Sequence, residues 1–264
     1  MSYNIIKGGK MDFKQIFDLL DNSVNMPAVH EGILNFVSAD CPHKKIGEAY
    51  DKAIVIYDDY MEGKKWHLRL LRQVLLGIDD REIKECVIFA RKFFDKIESG
   101  LVLEVPVGTG FFTFAEYLKY PDITFVAVDY SWGMLLEAKK RMEKLGVKNC
   151  ILVRADVGKL PFKDQVFDGV LTLNGIHSFP EKEKAIQQMA RVVKDKKPVY
   201  GTVCVRKERW LTDLMMELFY FPGKWFTRPA LTKEELKNML EKHALSIAST
   251  RLIKSNFVFE AVKS

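Results

Sequence analysis

The sequence predicts an α/β fold, a doubly wound, mostly parallel sheet preceded by a helical N-terminal extension. Three observations predict it. The first 97 residues carry apolar side chains at spacings of three and four and no convincing strand. From Leu101 onward short apolar runs alternate with helical stretches, and such βαβα alternation demands a parallel sheet covered by helices on both faces. The chain then closes with two strand-like runs around Ser255-Asn256, the pattern of an antiparallel hairpin at a sheet edge. The expected organisation is a helical cap over 1–97 and an α/β domain over 98–264, with a lid-like insert at about 206–230.

Each element has a local reason. Met11–Asp21, Lys44–Met61, Trp66–Leu76 and Arg81–Ile97 read as helices, the last with Asp79 or Asp80 as N-cap. Leu101–Val105 is a strand ending at Pro106, and Phe112–Tyr120 is a helix stopped by Pro121. Ile123–Val128 is the second strand of the domain. Ser131 caps a helix that Gly146 ends. Ile151–Arg154 and Phe167–Leu173 are strands, Pro180 suits the first turn of a helix to Val193, and Pro198–Val205 is a fifth strand. After Leu211–Phe221 and a Pro/Gly-punctuated aromatic loop, Thr232 and Glu235 form a capping-box pair. Leu245–Lys254 and Phe257–Val262 complete the hairpin.

Composition narrows the function classes. A chain 48% apolar and 29% charged is a folded protein rather than a disordered one. No uncharged apolar run approaches the roughly 18 residues a spanning helix needs. The stretch Met1–Lys7 lacks the apolar core of a signal peptide, so a cytoplasmic location is expected. The net charge of +6 lies beyond Asp95 and is interspersed with acids, which suits a solvated surface and disfavours a nucleic-acid partner. Cys41, Cys86, Cys150 and Cys204 lie far apart and read as reduced thiols. Cys41-Pro42-His43 with His30 upstream has no second ligand pair at finger-like spacing, so no metal is expected.

The chemistry concentrates in Leu101-Val-Leu-Glu104-Val-Pro106-Val-Gly108-Thr109-Gly110, a strand running into a glycine turn that opens a helix. In an open parallel sheet, ligands bind beyond the carboxyl ends of the strands, where glycine lets backbone approach closely. Asp129, 19 positions after Gly110, ends the next strand, where a carboxylate can accept both hydroxyls of a ribose. A dinucleotide fingerprint would place a third glycine where Thr113 stands. Glu104 before the turn would repel a pyrophosphate and suit a cation. A cationic nucleoside without phosphate is S-adenosylmethionine.

Glu104–Gly110, Val128-Asp129-Tyr130-Ser131-Trp-Gly-Met134-Leu135, Arg154-Ala-Asp156-Val157-Gly-Lys-Leu160-Pro161-Phe162 and Phe167-Asp168-Gly-Val170 together resemble the class I S-adenosylmethionine-dependent methyltransferases, most closely the ubiquinone/menaquinone biosynthesis branch. The resemblance covers about residues 96–205, weakly the hairpin, and hardly the first 95. It implies a Rossmann-like, seven-stranded sheet whose last strand is antiparallel. By the same resemblance Glu104, Gly108 and Gly110 serve the methionine end of the cofactor, and Asp129 holds the ribose. Tyr130 or Met134 flanks the adenine, while Asp156 and the Val157 backbone meet its edge. Asn174 faces the sulfonium and the acceptor. Pro106 departs from the family's opening glycine, and Asp195-Lys-Lys-Pro198 replaces the usual Pro-Gly-Gly.

His177, in Asn174-Gly-Ile-His177, is the sharpest candidate general base, since a neutral imidazole takes a proton near neutral pH; the alternative is a histidine that orients its loop. Tyr50 and Tyr57 close the cofactor pocket or, alternatively, fill the core. Asp168 reads as structural. Asn174-Gly-Ile-His177 lacks the motif of amino-group nucleic-acid methyltransferases, and no cysteine is placed for cytosine chemistry. The aromatic run Phe219–Phe226 suits a wall over an apolar acceptor. The expected reaction is methyl transfer to a small, largely apolar or aromatic molecule at carbon or oxygen. An RNA or protein acceptor, a catalytically inactive cofactor-binding module and a homodimeric state stay open as alternatives.

Overall fold

The computed structural model describes residues 13–37, 47, 48, 50, 51, 66, 67, 70, 73 and 79–264. Cys41, His43 and Tyr57 lie outside them. The described residues build a nine-stranded sheet between two helical layers. The strands are β1 (Ala28–His30), β2 (Ile33–Asn35), β3 (Gly100–Glu104), β4 (Ile123–Asp129), β5 (Cys150–Arg154), β6 (Gly169–Leu173), β7 (Pro198–Cys204), β8 (Leu245–Ile253) and β9 (Asn256–Lys263). They run in the order β1-β2-β5-β4-β3-β6-β7-β9-β8. β2 through β7 are parallel, while β9 inserts antiparallel between β7 and β8. All seven strands expected from the sequence are present, and the last one is antiparallel.

Two strands were not expected. The reading of 1–97 as purely helical is corrected by the hairpin β1–β2, whose parallel partner is β5. Strands of three residues are too short to show an alternation. Their signal is the turn instead, where Glu31 (φ 55°) and Gly32 (φ 74°) both take the left-handed conformation a two-residue hairpin loop requires. The N-terminal segment also packs on the sheet through Ile16, Leu19 and Leu20, which join the core containing Leu103, Val126 and Val153.

The helices follow their caps. α1 (Phe13–Phe17) precedes the hairpin. α2 (Asp80–Ile97) starts at the Asp79–Glu82 capping box and buries Phe89, Ala90, Phe93 and Phe94 against Val102, Phe125 and Leu171. It therefore covers a face of the sheet, although the sequence assigned it to the extension. α3 (Phe114–Tyr117) is shorter than expected. α4 (Trp132–Leu145) begins at Ser131, whose side chain accepts from the Met134 N–H, and ends at left-handed Gly146. α5 (Lys182–Val192) and α7 (Lys233–Lys242), the latter with the Thr232–Glu235 capping box, cover the opposite face. The insert comprises α6 (Trp210–Met215) and a π-helical turn over Met216–Tyr220. Asp168 is structural: it accepts from the Leu101 N–H at 3.0 Å and from Lys194 at 2.8 Å.

Candidate functional site

Strand order reverses between β3 and β6, and a cavity of about 220 Å³ opens at the carboxyl ends of the strands there. Glu104, Gly108, Asp129, Tyr130, Met134, Asp156, Val157, Asn174 and His177 all line it. Among the described residues expected to bind the cofactor, Gly110 does not. It holds the turn in place: at φ 70° it packs so closely on Phe114 that an added Cβ would lie 2.5 Å from the ring. Gly108, at φ 56°, would meet nothing within 4 Å, so its bare backbone faces open space where a ligand can approach. Pro106 fits through a compensating glycine, since a Cβ at Gly175 would lie 2.1 Å from its ring.

Two buried carboxylates flank this turn. The Asp129 oxygens accept from the Gly108 N–H at 2.8 Å and the Ser131 N–H at 2.9 Å. Burial raises its pKa to about 6 against these donors, and nearby Asp51 adds to the rise. Glu104, 2% exposed, accepts from the Thr113 hydroxyl at 3.1 Å and from the Tyr117 hydroxyl. Burial drives its pKa up to about 8, because these hydroxyls are neutral and no cation stands beside it among the described residues. A buried carboxylate that lacks only a cation, beside bare glycine backbone, fits the ammonium of an amino-acid-bearing nucleoside. Asp156 caps the turn Val157–Lys159 through the Gly158 N–H at 2.8 Å.

The other end of the cavity comes from distant segments. The Tyr50 hydroxyl lies 2.7 Å from the Ser178 hydroxyl and donates to the Trp225 carbonyl at 2.8 Å. It thereby ties the N-terminal region, the loop after β6 and the insert together. Lys182 adds a second tie, donating to the Phe179 carbonyl at 3.2 Å and the Thr227 carbonyl at 2.9 Å. His177 packs on Phe226, with ring centroids 4.0 Å apart, and Tyr220 packs on Phe226 in turn at 4.6 Å.

His177 and Asn174 both line the cavity and both are held by hydrogen bonds to neighbouring strands and helices. The Nδ1 of His177 accepts from the Cys204 N–H at 3.2 Å, which leaves Nε2 carrying the proton. Burial, with Lys182 nearby, lowers its pKa to about 3. In this arrangement Nε2 is a donor. The Asn174 side chain accepts from Thr202 at 3.0 Å and donates to Cys86 at 3.9 Å, so its amide is tied to neighbouring structure. Cys204 is an inert thiol, pushed up to about 12 by burial.

The sequence reading missed Asp51, Ser178 and Arg209. Asp51 accepts from Ser131 at 2.5 Å and from the Gly133 N–H at 2.8 Å, gripping the N-terminus of α4 from outside. No motif surrounds it.

Known proteins resemble parts of this chain. Residues 102–196 match the family model described as a methyltransferase domain. An uncharacterized chloroplastic methyltransferase of Arabidopsis thaliana is 32% identical over 123 residues, 44% of this chain and 34% of that protein. A demethylmenaquinone methyltransferase of Thermobifida fusca is 30% identical over 125 residues, 47% of this chain and 51% of that protein. The chain thus spans about a third to a half of the length of these curated relatives. A Thermotoga maritima structure titled an S-adenosylmethionine-dependent methyltransferase, possible histamine N-methyltransferase, shares the fold. Its TM-score is 0.58 at 17% identity, covering 83% of this chain and 100% of that one.

Proposed function

We propose that this chain, which carries a class I S-adenosylmethionine-dependent methyltransferase domain, transfers a methyl group to a small, largely apolar or aromatic acceptor at carbon or oxygen. The observation that carries the proposal is the aromatic wall of Tyr220, Trp225 and Phe226, which lines the same cavity as Glu104 and Asp129. The Thermobifida fusca relative is named a demethylmenaquinone methyltransferase, and an acceptor of that kind would suit such a wall.

S-adenosylmethionine supplies an electrophilic methyl group when bound. Glu104 would hold its ammonium, Asp129 its ribose hydroxyls, and Asp156 with Val157 the adenine edge. The chain's remaining task is to align the acceptor and exclude water. Tyr50 closes the insert against the loop after β6, and Phe226 with His177 forms a face on which a planar acceptor can lie. With His177 holding its proton at Nε2, the site is suited to acceptors that need no strong base: an electron-rich carbon, or a hydroxyl acidic enough to ionise by itself.

The test incubates the full chain with methyl-tritiated S-adenosylmethionine and, separately, a lipid extract, total RNA and total protein. Label in the solvent-extractable fraction of the lipid reaction is expected. Label only in RNA or protein would overturn the acceptor class, and tight S-adenosylhomocysteine binding with no label anywhere would indicate a non-catalytic module.

A further inference from the structure

Exposed apolar side chains concentrate on the insert. Trp210 is 76% exposed, Leu218 55% and Phe219 48%, with Leu211 and Leu214 also open. Trp210, Leu214 and Leu218 recur every four residues, so they share one face. The opposite face is already used: Thr212 and Tyr220 line the cavity, and Met216 is buried with Tyr220. A short helix that is apolar on both faces leaves the outer one without a partner.

The charges beside that face say what fits it. Lys207, Arg209 and Lys224 are exposed and form no ion pair among the described residues. The acids of the same stretch are engaged: Glu208 pairs with Lys233 at 3.3 Å and Glu217 with Arg228, while Asp213 accepts from the Lys207 N–H at 3.1 Å. An apolar strip with tryptophan at its end and unpaired cations around it matches the boundary of an anionic bilayer. A second copy of the chain would bring the same cations face to face. Among the described residues no helix is long and apolar enough to cross a membrane, so the fit is to the surface.

We infer that segment 207–224 docks the protein on an anionic lipid surface, with Trp210, Leu214 and Leu218 in the headgroup boundary and Lys207 and Lys224 on lipid phosphates. Because Arg209 and Thr212 line the cavity from this same segment, docking sets the cavity beside the lipid, from which an apolar acceptor can enter. The source of the acceptor rests on the function proposed above; the docking itself does not.

The test sediments the full chain with phosphatidylcholine vesicles, with and without phosphatidylglycerol, at low and high salt. The chain should pellet with the anionic vesicles at low salt, and less so as salt rises. Trp210→Glu combined with Leu214→Glu should weaken vesicle affinity about tenfold or more while S-adenosylhomocysteine still binds. Lys207→Gln with Lys224→Gln should remove the preference for anionic vesicles. If the glutamate variant fails to fold, quenching of wild-type tryptophan emission by brominated acyl chains replaces it; quenching supports docking and its absence overturns it. Wild-type protein that stays in the supernatant, a folded glutamate variant that pellets normally, or a dimer that Leu218→Glu dissociates and that ignores vesicles would each overturn the inference. Vesicle binding without lipid methylation would instead overturn only the proposed acceptor.

Discussion

At one end of the cavity Asp129, the last residue of β4, reaches the N–H of Gly108 in the turn after β3, a partner 21 residues away. At the other end Tyr50 reaches Ser178 and Trp225, 128 and 175 residues away. The cofactor end is thus fixed by short-range turn geometry on a buried sheet, where Asp129 accepts from backbone N–H groups and Glu104 from the Thr113 and Tyr117 hydroxyls. The other end is assembled from three segments far apart in the chain, held by a few side-chain hydrogen bonds. The difference teaches where substitutions should act: on affinity for the nucleoside at the first end, and on turnover and acceptor choice at the second.

The largest expected effect breaks the cofactor end outright. Asp129→Ala should lower S-adenosylhomocysteine affinity about a hundredfold or more, as loss of two charge-assisted hydrogen bonds implies, while the thermal transition persists. Calorimetric titration measures it, and wild-type affinity in the variant would remove Asp129 from the ribose site.

Glu104 sharpens the same end through protons. With its pKa raised to about 8, the folded, ligand-free chain keeps a proton that the unfolded chain loses in the ordinary carboxylate range. The stability of the free protein should therefore fall as pH rises from about 4.5 toward 8. A cation bound beside Glu104 reverses the preference, so ligand binding near neutral pH should release about one proton. Titrations in buffers of different ionisation enthalpy measure this release. Glu104→Gln should abolish it, weaken binding about tenfold and remove the alkaline loss of stability. Release undiminished in the variant would assign the proton elsewhere.

At the acceptor end, Tyr50→Phe removes one hydroxyl serving two partners. Methyl transfer should slow about tenfold, as expected for the loss of roughly 1–2 kcal/mol of positioning, while S-adenosylhomocysteine affinity stays within about threefold. A variant that loses cofactor affinity but not rate would place Tyr50 in the other half of the comparison.

The same contrast explains what the sequence made legible. Motif spacing on β3, β4 and β5 pointed to Glu104, Gly108, Asp129 and Asp156, which do meet at one cavity, because strand-to-turn geometry is local, and the capping residues Asp79, Ser131 and Thr232 were readable for the same reason. β1 and β2 were not, since three-residue strands show no period and owe their existence to pairing with β5. Asp51 acts on α4 across 80 residues, a contact that no spacing encodes. His177 was legible as a pocket residue but not in its protonation state, which depends on the Cys204 N–H of a different strand.

His177 gives the smallest expected effect and the most discriminating one. Burial disfavours the charged ring, and nearby Lys182 adds to this, lowering its pKa to about 3. The ring resonances of His177 should show no titration between about pH 5 and 8, in contrast to an ordinary histidine. An unfolded chain takes up that proton near 6.5, so His177 should cost stability as pH falls below this value, and His177→Gln should flatten that loss. The pH–rate profile of methyl transfer should carry no limb from this residue. A limb near 6.5 that disappears in His177→Gln would make the imidazole a working base, and the acceptor class would then widen to weakly acidic nucleophiles.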